Sequence, residues 1–224
     1  MKLARAEPGC FNYVRKKRGI NMIASMRKRG YLRTSTMVKI GMLGGMGLIL
    51  FLLDFPLPIF PSFLKLDFSD TPALVGTFHL GPAAGVAIQL LKNLLNLIVR
   101  NQTGGVEELA NFLIGTAFVV PLGLVYKKKP NYTGVIVGCI LSVLTMTAAA
   151  VFLNYYVFIP AFAFLMGFEI EDIVRMAAAI NPAIVDLRTM VAYAIVPFNL
   201  VKGVLVSFVG FGLFKALQPL WKLR

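Results

Sequence analysis

Residues 71–99 read TPALVGTFHLGPAAGVAIQLLKNLLNLIV, and the Gly81-Pro82 pair inside them decides how the rest of the chain folds. As one helix, the stretch would carry that pair through its interior, where proline loses a hydrogen bond and clashes with the preceding turn. As two helices, it breaks into a short segment over 71–80 and a longer one over 82–99. Charge on either side of the stretch chooses between these readings.

Other apolar segments run over 35–53, 106–126, 132–153 and 189–214, near the length of about 20 residues that a spanning helix needs. Ahead of the first lies a basic arm containing Arg15, Lys16, Lys17, Arg18, Arg27, Lys28, Arg29 and Arg33. Such an arm marks the cytoplasmic side and attracts anionic lipid. With it inside, an unbroken 71–100 helix would put Lys127, Lys128 and Lys129 outside, against the positive-inside tendency. The broken helix returns that cluster to the inside, together with Lys215 and Lys222. Every acidic residue except Glu7 then falls at or beyond the outer side. A segment of about ten residues must be shielded from lipid by protein.

The expected fold is therefore an all-α membrane protein of six transmembrane helices, with an extended outer loop between helices 1 and 2. A basic cytoplasmic arm (1–33), a membrane domain (34–218) and a cytoplasmic tail (219–224) make up the chain, which sits in the cell membrane with both termini inside. The stretch 155–186 mixes apolar residues with Glu169, Glu171, Asp172, Arg175 and Asp186, and has no single reading.

Composition agrees: 58% of the 224 residues are hydrophobic and 15% charged, against about 45–50% and about 25% in soluble domains. The net charge of +13 does not indicate nucleic acid, because no aromatic-interleaved binding module follows the arm. Nor is the arm a signal peptide, which would need a short apolar region and a small-residue cleavage site after its charges. Cys10 and Cys139 lie on the arm and in an apolar run, and do not suggest a disulfide or metal pair. The chain has no phosphate loop, no H-E-x-x-H and no G-x-S-x-G. Its single histidine, His79, cannot build a multi-histidine metal site. No enzyme activity, cofactor or metal is expected.

Polar residues in apolar helices are costly, which makes them functional candidates. Asn93 and Asn96 lie in the outer half of 82–99, and Glu108 and Asn111, one helical face apart, open the next helix. Asn154, Tyr155 and Tyr156 end the helix over 132–153, and Asn199 and Lys202 lie on the outer half of the last. This set suits a flat, neutral ligand with a polar edge, held in a mostly apolar pocket. It equally suits a buried Glu108–Lys202 pair with asparagines as interhelical glue. The loop from Phe55 to Phe68 carries Pro56, Pro58 and Pro61, then alternates Leu64, Leu66 and Phe68 with Lys65 and Asp67. Such a loop is a lid over a pocket or a cap packed on helix ends. Gly41 and Gly45 give helix 1 a small-x-x-x-small face for a partner helix.

Phe60–Pro72 (FPSFLKLDFSDTP), Leu91–Leu95 (LKNLL), Thr103–Phe112 (TGGVEELANF), Leu153–Tyr156 (LNYY) and Pro197–Gly203 (PFNLVKG) occur here as an ordered set. That set resembles the riboflavin-specific S-components of energy-coupling factor (ECF) importers, over roughly residues 35–215. The family's helix 1 motif usually has alanines where this chain has Gly41 and Gly45. The resemblance implies riboflavin bound near the outer surface beneath the loop after helix 1. It also implies a transmembrane coupling protein and two ATPases that dock at the helix 1 motif, and tipping of the S-component to release vitamin inward. The binding residues it implies are Lys65, Leu66, Asp67, Glu108, Asn111, Asn154, Tyr155, Asn199 and Lys202; Phe60 of the loop and Asn93 complete the candidate set. Another vitamin, flavin mononucleotide with its phosphate on Lys202, a lipid-modifying enzyme using Glu108 as base, and a stand-alone channel remain alternatives. No nucleophile–base–orienter set supports the enzyme.

Overall fold

The computed structural model describes residues 34–222, so the basic arm over 1–33 and the last two residues of the expected tail lie outside the described residues. Contacts divide the chain into Met1–Met37 and Val38–Arg224. Apart from Thr34–Met37, the first turn of α1, everything below lies in the second unit.

The break in the opening stretch is present. Helix α2 (Asp70–Leu80) stops at Gly81, whose φ of 95° favours a residue without a Cβ, and α3 (Pro82–Val99) starts with Pro82. Around this pair the order is α1 (Thr34–Leu52), a two-stranded hairpin of β1 (Phe55–Pro56) and β2 (Lys65–Leu66), α2, α3, then α4 (Val106–Lys128) and α5 (Tyr132–Leu153). The strands run antiparallel, with Phe55 opposite Leu66 and Pro56 opposite Lys65. A π-helical turn at Asn154–Phe158 leads into α6 (Ile159–Met166), followed by α7 (Ile170–Ala178) and α8 (Leu187–Met190). A second π-turn at Val191–Ile195 leads into α9 (Val196–Lys222).

This is an all-α membrane architecture. Among the described residues, five helical segments are long and apolar enough to cross a membrane. The segment expected as a further span, α2, is not among them: it has 11 residues and measures only about 16 Å, half the hydrocarbon thickness. It is shielded as its length requires, with Ala73, Leu74, Thr77 and Phe78 all buried. Its first turn starts deep in the bundle. Asp70 bonds to Gln89 and Lys92, in the middle of α3 rather than at its end. The chain after the hairpin has thus already descended into the bundle before α2 begins.

The helix expected over 132–153 is α5, but the helical run continues beyond it: α5, the π-turn and α6 together span 35 residues, Tyr132–Met166. Proline explains the turn. Pro160 cannot donate to the carbonyl four residues back, and just before it Ile159 N–H bonds to Asn154 O, one residue farther. Pro197 repeats the device, with Val196 N–H reaching Val191 O. Single π-turns inside helices often mark functional sites, and both lie next to asparagines at the site described below.

The stretch 155–186 resolves into α6, α7 and connecting turns. Helix α7 is held by a reciprocal Glu169–Asp172 capping box and buries Ile173, Val174 and Ala177 while exposing Glu171 and Arg175. The main core joins Leu74, Phe78, Ile88, Phe118, Leu122, Met146, Val206 and Phe214. Small residues let these helices close up: a Cβ on Gly123 would stand 2.7 Å from side-chain atoms of both Pro82 and Thr77.

Candidate functional site

A cavity of about 340 Å³ opens under the hairpin, at the end of the bundle where α1, α3 and α5 finish and α4 begins. Its apolar wall includes Phe51 of α1, Phe63 and Leu64 of the hairpin loop, Ile114 of α4, Met146 of α5, Phe158 of the π-turn, Phe162 of α6, Ile173 of α7 and Phe198 of α9. Asp54, Lys65, Asp67, Asp70, Glu107, Asn111, Asn154, Asn199 and Lys202 supply polar groups. Mostly apolar walls with a few fixed polar groups characterise small-molecule sites.

The asparagines are oriented by the helices that carry them. Asn154 Nδ2 donates to Ala150 O at 2.8 Å, and Asn199 Nδ2 donates to Ile195 O at 2.8 Å. Each keeps its carbonyl oxygen and second N–H for the cavity that it lines. Asn111 lines the same space from the second turn of α4.

Beneath the hairpin lies a buried network of four charges. Lys202 Nζ donates to Asp67 Oδ2 at 2.7 Å and stands 3.8 Å from Asp70 Oδ2. Lys92 Nζ donates to Asp70 Oδ1 and Ser69 Oγ, both at 2.6 Å. Asp67 Oδ1 also accepts from Ser69 N–H at 2.8 Å. All four charged side chains are less than 10% exposed. Buried charges persist only when paired and hydrogen-bonded, and here two ammonium groups match two carboxylates.

A second polar group fastens the hairpin from outside. Asp54 accepts from Arg100 Nη1 at 3.1 Å and Nη2 at 2.8 Å, and lies 3.5 Å from Lys65 Nζ. The bond to Asp54 holds the Arg100 guanidinium above its ordinary pKa. Arg100 follows α3, so this fork ties the base of the hairpin to the end of that helix.

Of the residues the sequence singled out, Lys65, Asp67, Asn111, Asn154, Asn199 and Lys202 come together around the cavity. Phe60 stands behind it, packed edge to face on Phe198 with 5.4 Å between ring centroids. Leu66 and Asn93 are buried outside the lining, the latter donating to Gln89 O at 2.8 Å. Glu108 also turns away, accepting from Asn96 Nδ2 at 2.8 Å, and its neighbour Glu107 faces the cavity instead. The Glu108–Lys202 pair of the structural alternative is absent: Lys202 is held by Asp67 and Asp70. Tyr155 borders a separate groove, where its hydroxyl accepts from Arg188 Nε at 3.4 Å.

Sequence reasoning missed Asp54, Asp70 and Glu107, and the partner role of Lys92. Lys92 did carry a signal, since a charge in the middle of an apolar segment demands a partner. On α1, Gly41 and Gly45 meet nothing within 4 Å, while Gly44 and Gly47 press on Leu91 and Lys92. The small-residue face therefore looks outward. Among the described residues, no His, Cys, Asp and Glu side chains gather to hold a metal ion.

The family model described as "ECF transporter, substrate-specific component" matches residues 35–214. The chain is 33% identical over 192 residues to the riboflavin transporter FmnP of Bacillus subtilis, covering 84% of this chain and 94% of that protein. It is 34% identical over 196 residues to the riboflavin transporter RibU of Staphylococcus aureus, covering 88% and 97%. The structure of the S component of a bacterial ECF transporter superposes with a TM-score of 0.66 at 32% identity, over 85% of this chain and 99% of that one. With matching helices, a cavity under the hairpin and a family match across the whole bundle, the chain belongs to the substrate-specific components of ECF transporters, a family of transporter subunits rather than of enzymes.

Proposed function

We propose that this chain captures riboflavin in the cavity beneath the hairpin, as the vitamin-binding subunit of an ATP-driven importer. The observation that carries this reading is the convergence of Asn111, Asn154 and Asn199 from three chain-distant segments on one aromatic-walled cavity. A flavin ring is flat and apolar on its faces, with an edge of alternating carbonyl and N–H groups that primary amides can match. Relatives named as riboflavin transporters agree with it.

The charges favour the neutral vitamin over its phosphate. Asp54, Asp67, Asp70 and Glu107 line the cavity against only Lys65 and Lys202, and Lys202 is already held by two carboxylates. Riboflavin therefore binds more tightly than flavin mononucleotide, which would bring a dianion towards this acidic wall.

In this reading the cavity faces outward and both termini face the cytoplasm, which places Lys127, Lys128 and Lys129 inside. A transmembrane coupling protein and two ATPases dock on the open Gly41/Gly45 face of α1 to drive inward delivery. Substituting leucine at both glycines is expected to preserve ligand binding and abolish co-purification with such a module.

The primary test is titration of the purified protein with riboflavin and with flavin mononucleotide, following the quenching of flavin fluorescence. Saturable binding with riboflavin preferred is expected. Asn199→Ala, which removes one edge-facing amide, is expected to weaken it by about 1–3 kcal/mol. Absence of any flavin binding would falsify the assignment.

A further inference from the structure

Lys92 is fully buried, at 0% exposure, yet it is absent from the cavity lining. Its ammonium group lies where three parts of the protein meet. It donates to Ser69 Oγ and Asp70 Oδ1 at the foot of the hairpin segment. It stands 5.6 Å from the ring centroid of Phe51, the cavity-lining aromatic of α1. Its stem packs against Gly47, where even an added Cβ would stand only 3.3 Å away.

Asp70 offers one oxygen to each side of the network. Oδ1 accepts from Lys92 and Gln89, while Oδ2 faces Lys202 at 3.8 Å, beyond hydrogen-bond length. Lys202 spends its short bond, 2.7 Å, on Asp67 instead. Asp67 lies one residue beyond β2, so this bond fixes the foot of the hairpin to α9. Were Lys92 uncharged, Lys202 would be the only ammonium group left for both carboxylates. A carboxylate at this depth draws an ammonium strongly, so Lys202 would turn toward Asp70 and its hold on Asp67 would slacken.

We propose that Lys92 is a positioning residue for ligand capture. By satisfying Asp70, it keeps Lys202 on Asp67 and so holds the hairpin foot, with Lys65 and Asp67, in place over the cavity. The binding part of this proposal rests on the riboflavin reading above; the positioning part does not.

The test uses Lys92→Met, Asp67→Asn, their combination, and Lys92→Met with Asp70→Asn, in the full-length purified protein. The last variant removes both charges of one pair, so it leaves no stranded carboxylate and guards against a simple folding failure. Riboflavin affinity of the folded fraction is expected to fall about tenfold in Lys92→Met, the size of losing one charge-assisted hydrogen bond. In the Asp67→Asn background the same substitution should cost almost nothing more, because the contact it protects is already gone. Adding Asp70→Asn to Lys92→Met should recover part of the lost affinity. Independent, additive losses, or no loss of affinity beside a lowered Tm, would reduce Lys92 to a structural residue and overturn the proposal.

A second readout needs no ligand. Hydrogen exchange of the amides over 63–69 in the ligand-free protein should quicken in Lys92→Met and slow again when Asp70→Asn is added. If the native protein binds no riboflavin, the functional reading falls. This exchange measurement then decides the positioning role by itself, with unchanged exchange in Lys92→Met overturning it.

Discussion

At the end of the bundle away from the hairpin, Phe78, Tyr126 and Phe214 pack against one another with ring centroids 4.8–5.5 Å apart, and Gly123 closes tightly on Pro82 and Thr77. At the hairpin end, α4, α5 and α9 join the hairpin around a cavity, whose lining carries two lysines, four carboxylates and three asparagine amides. The same helices supply both ends. One end is held by aromatic edges and close backbone approach, which have no polar alternative to satisfy. The other is held by charge pairs and by π-turns that aim asparagines inward. A rigid base under a polar mouth leaves the hairpin as the element whose attachment ligand binding can alter.

The contrast breaks most completely if the charge network is cut. Lys202→Met leaves Asp67 and Asp70 with only Lys92 for compensation. Stranding a buried charge costs about 3–5 kcal/mol, more than its pair contributes, because the remaining ion is desolvated and unpaired. Thermal unfolding in detergent should show the corresponding fall in Tm, and the double variant Lys202→Met/Asp67→Asn should be more stable than Lys202→Met alone. Equal stability of the native protein and Lys202→Met would mean that the hairpin end is not held by charge.

The tight end is tested by Gly123→Ala. Its Cβ would meet Pro82 and Thr77 side-chain atoms at 2.7 Å and Pro82 Cα at 3.0 Å, so the backbone itself must give. Overpacking of this kind costs about 1–3 kcal/mol. Tm should drop while the riboflavin affinity of the folded fraction stays at the native value, because the strain sits at the opposite end from the cavity. Gly41→Ala, on the open face of α1, should change neither. A loss of affinity in Gly123→Ala would show that the two ends are mechanically coupled.

Much of this division was legible in the sequence. Gly81-Pro82 announced the turn between α2 and α3, and the positions of Lys65, Asp67, Asn111, Asn154, Asn199 and Lys202 announced the mouth. Glu107 and Glu108 could not be told apart, because a helix turns about 100° per residue and its phase is set by the packing of α4 on α3. The partners of Lys202 stayed hidden for a similar reason. Asp67 is 135 residues away in the chain, and only the descent of the hairpin segment into the bundle brings Asp67 and Asp70 to the depth of Lys202. Pro160 and Pro197 were visible, but a proline can end, kink or widen a helix. The choice of a π-turn depends on the neighbours that keep α5 and α6 in one line.

The smallest effect expected is at the outer fork. Asp54→Asn removes the negative charge that Arg100 and Lys65 share, but those cationic side chains are 21% and 33% exposed, so water and salt already screen the pair. Partly exposed ion pairs contribute about 0.2–1 kcal/mol, which limits the loss of affinity to about fivefold. The effect should instead appear in rates. Loosening the hairpin at its outer edge lets ligand enter and leave sooner, so association and dissociation both quicken in stopped-flow fluorescence while their ratio moves little. Raising the salt to about 1 M, where the screening length is about 3 Å, should reproduce this on the native protein and add little to Asp54→Asn. The buried Lys202–Asp67 contact, shielded from those ions, should not respond. If salt instead lowered affinity as much as cutting that contact does, the boundary between a screened outer latch and a dry inner one would be misplaced.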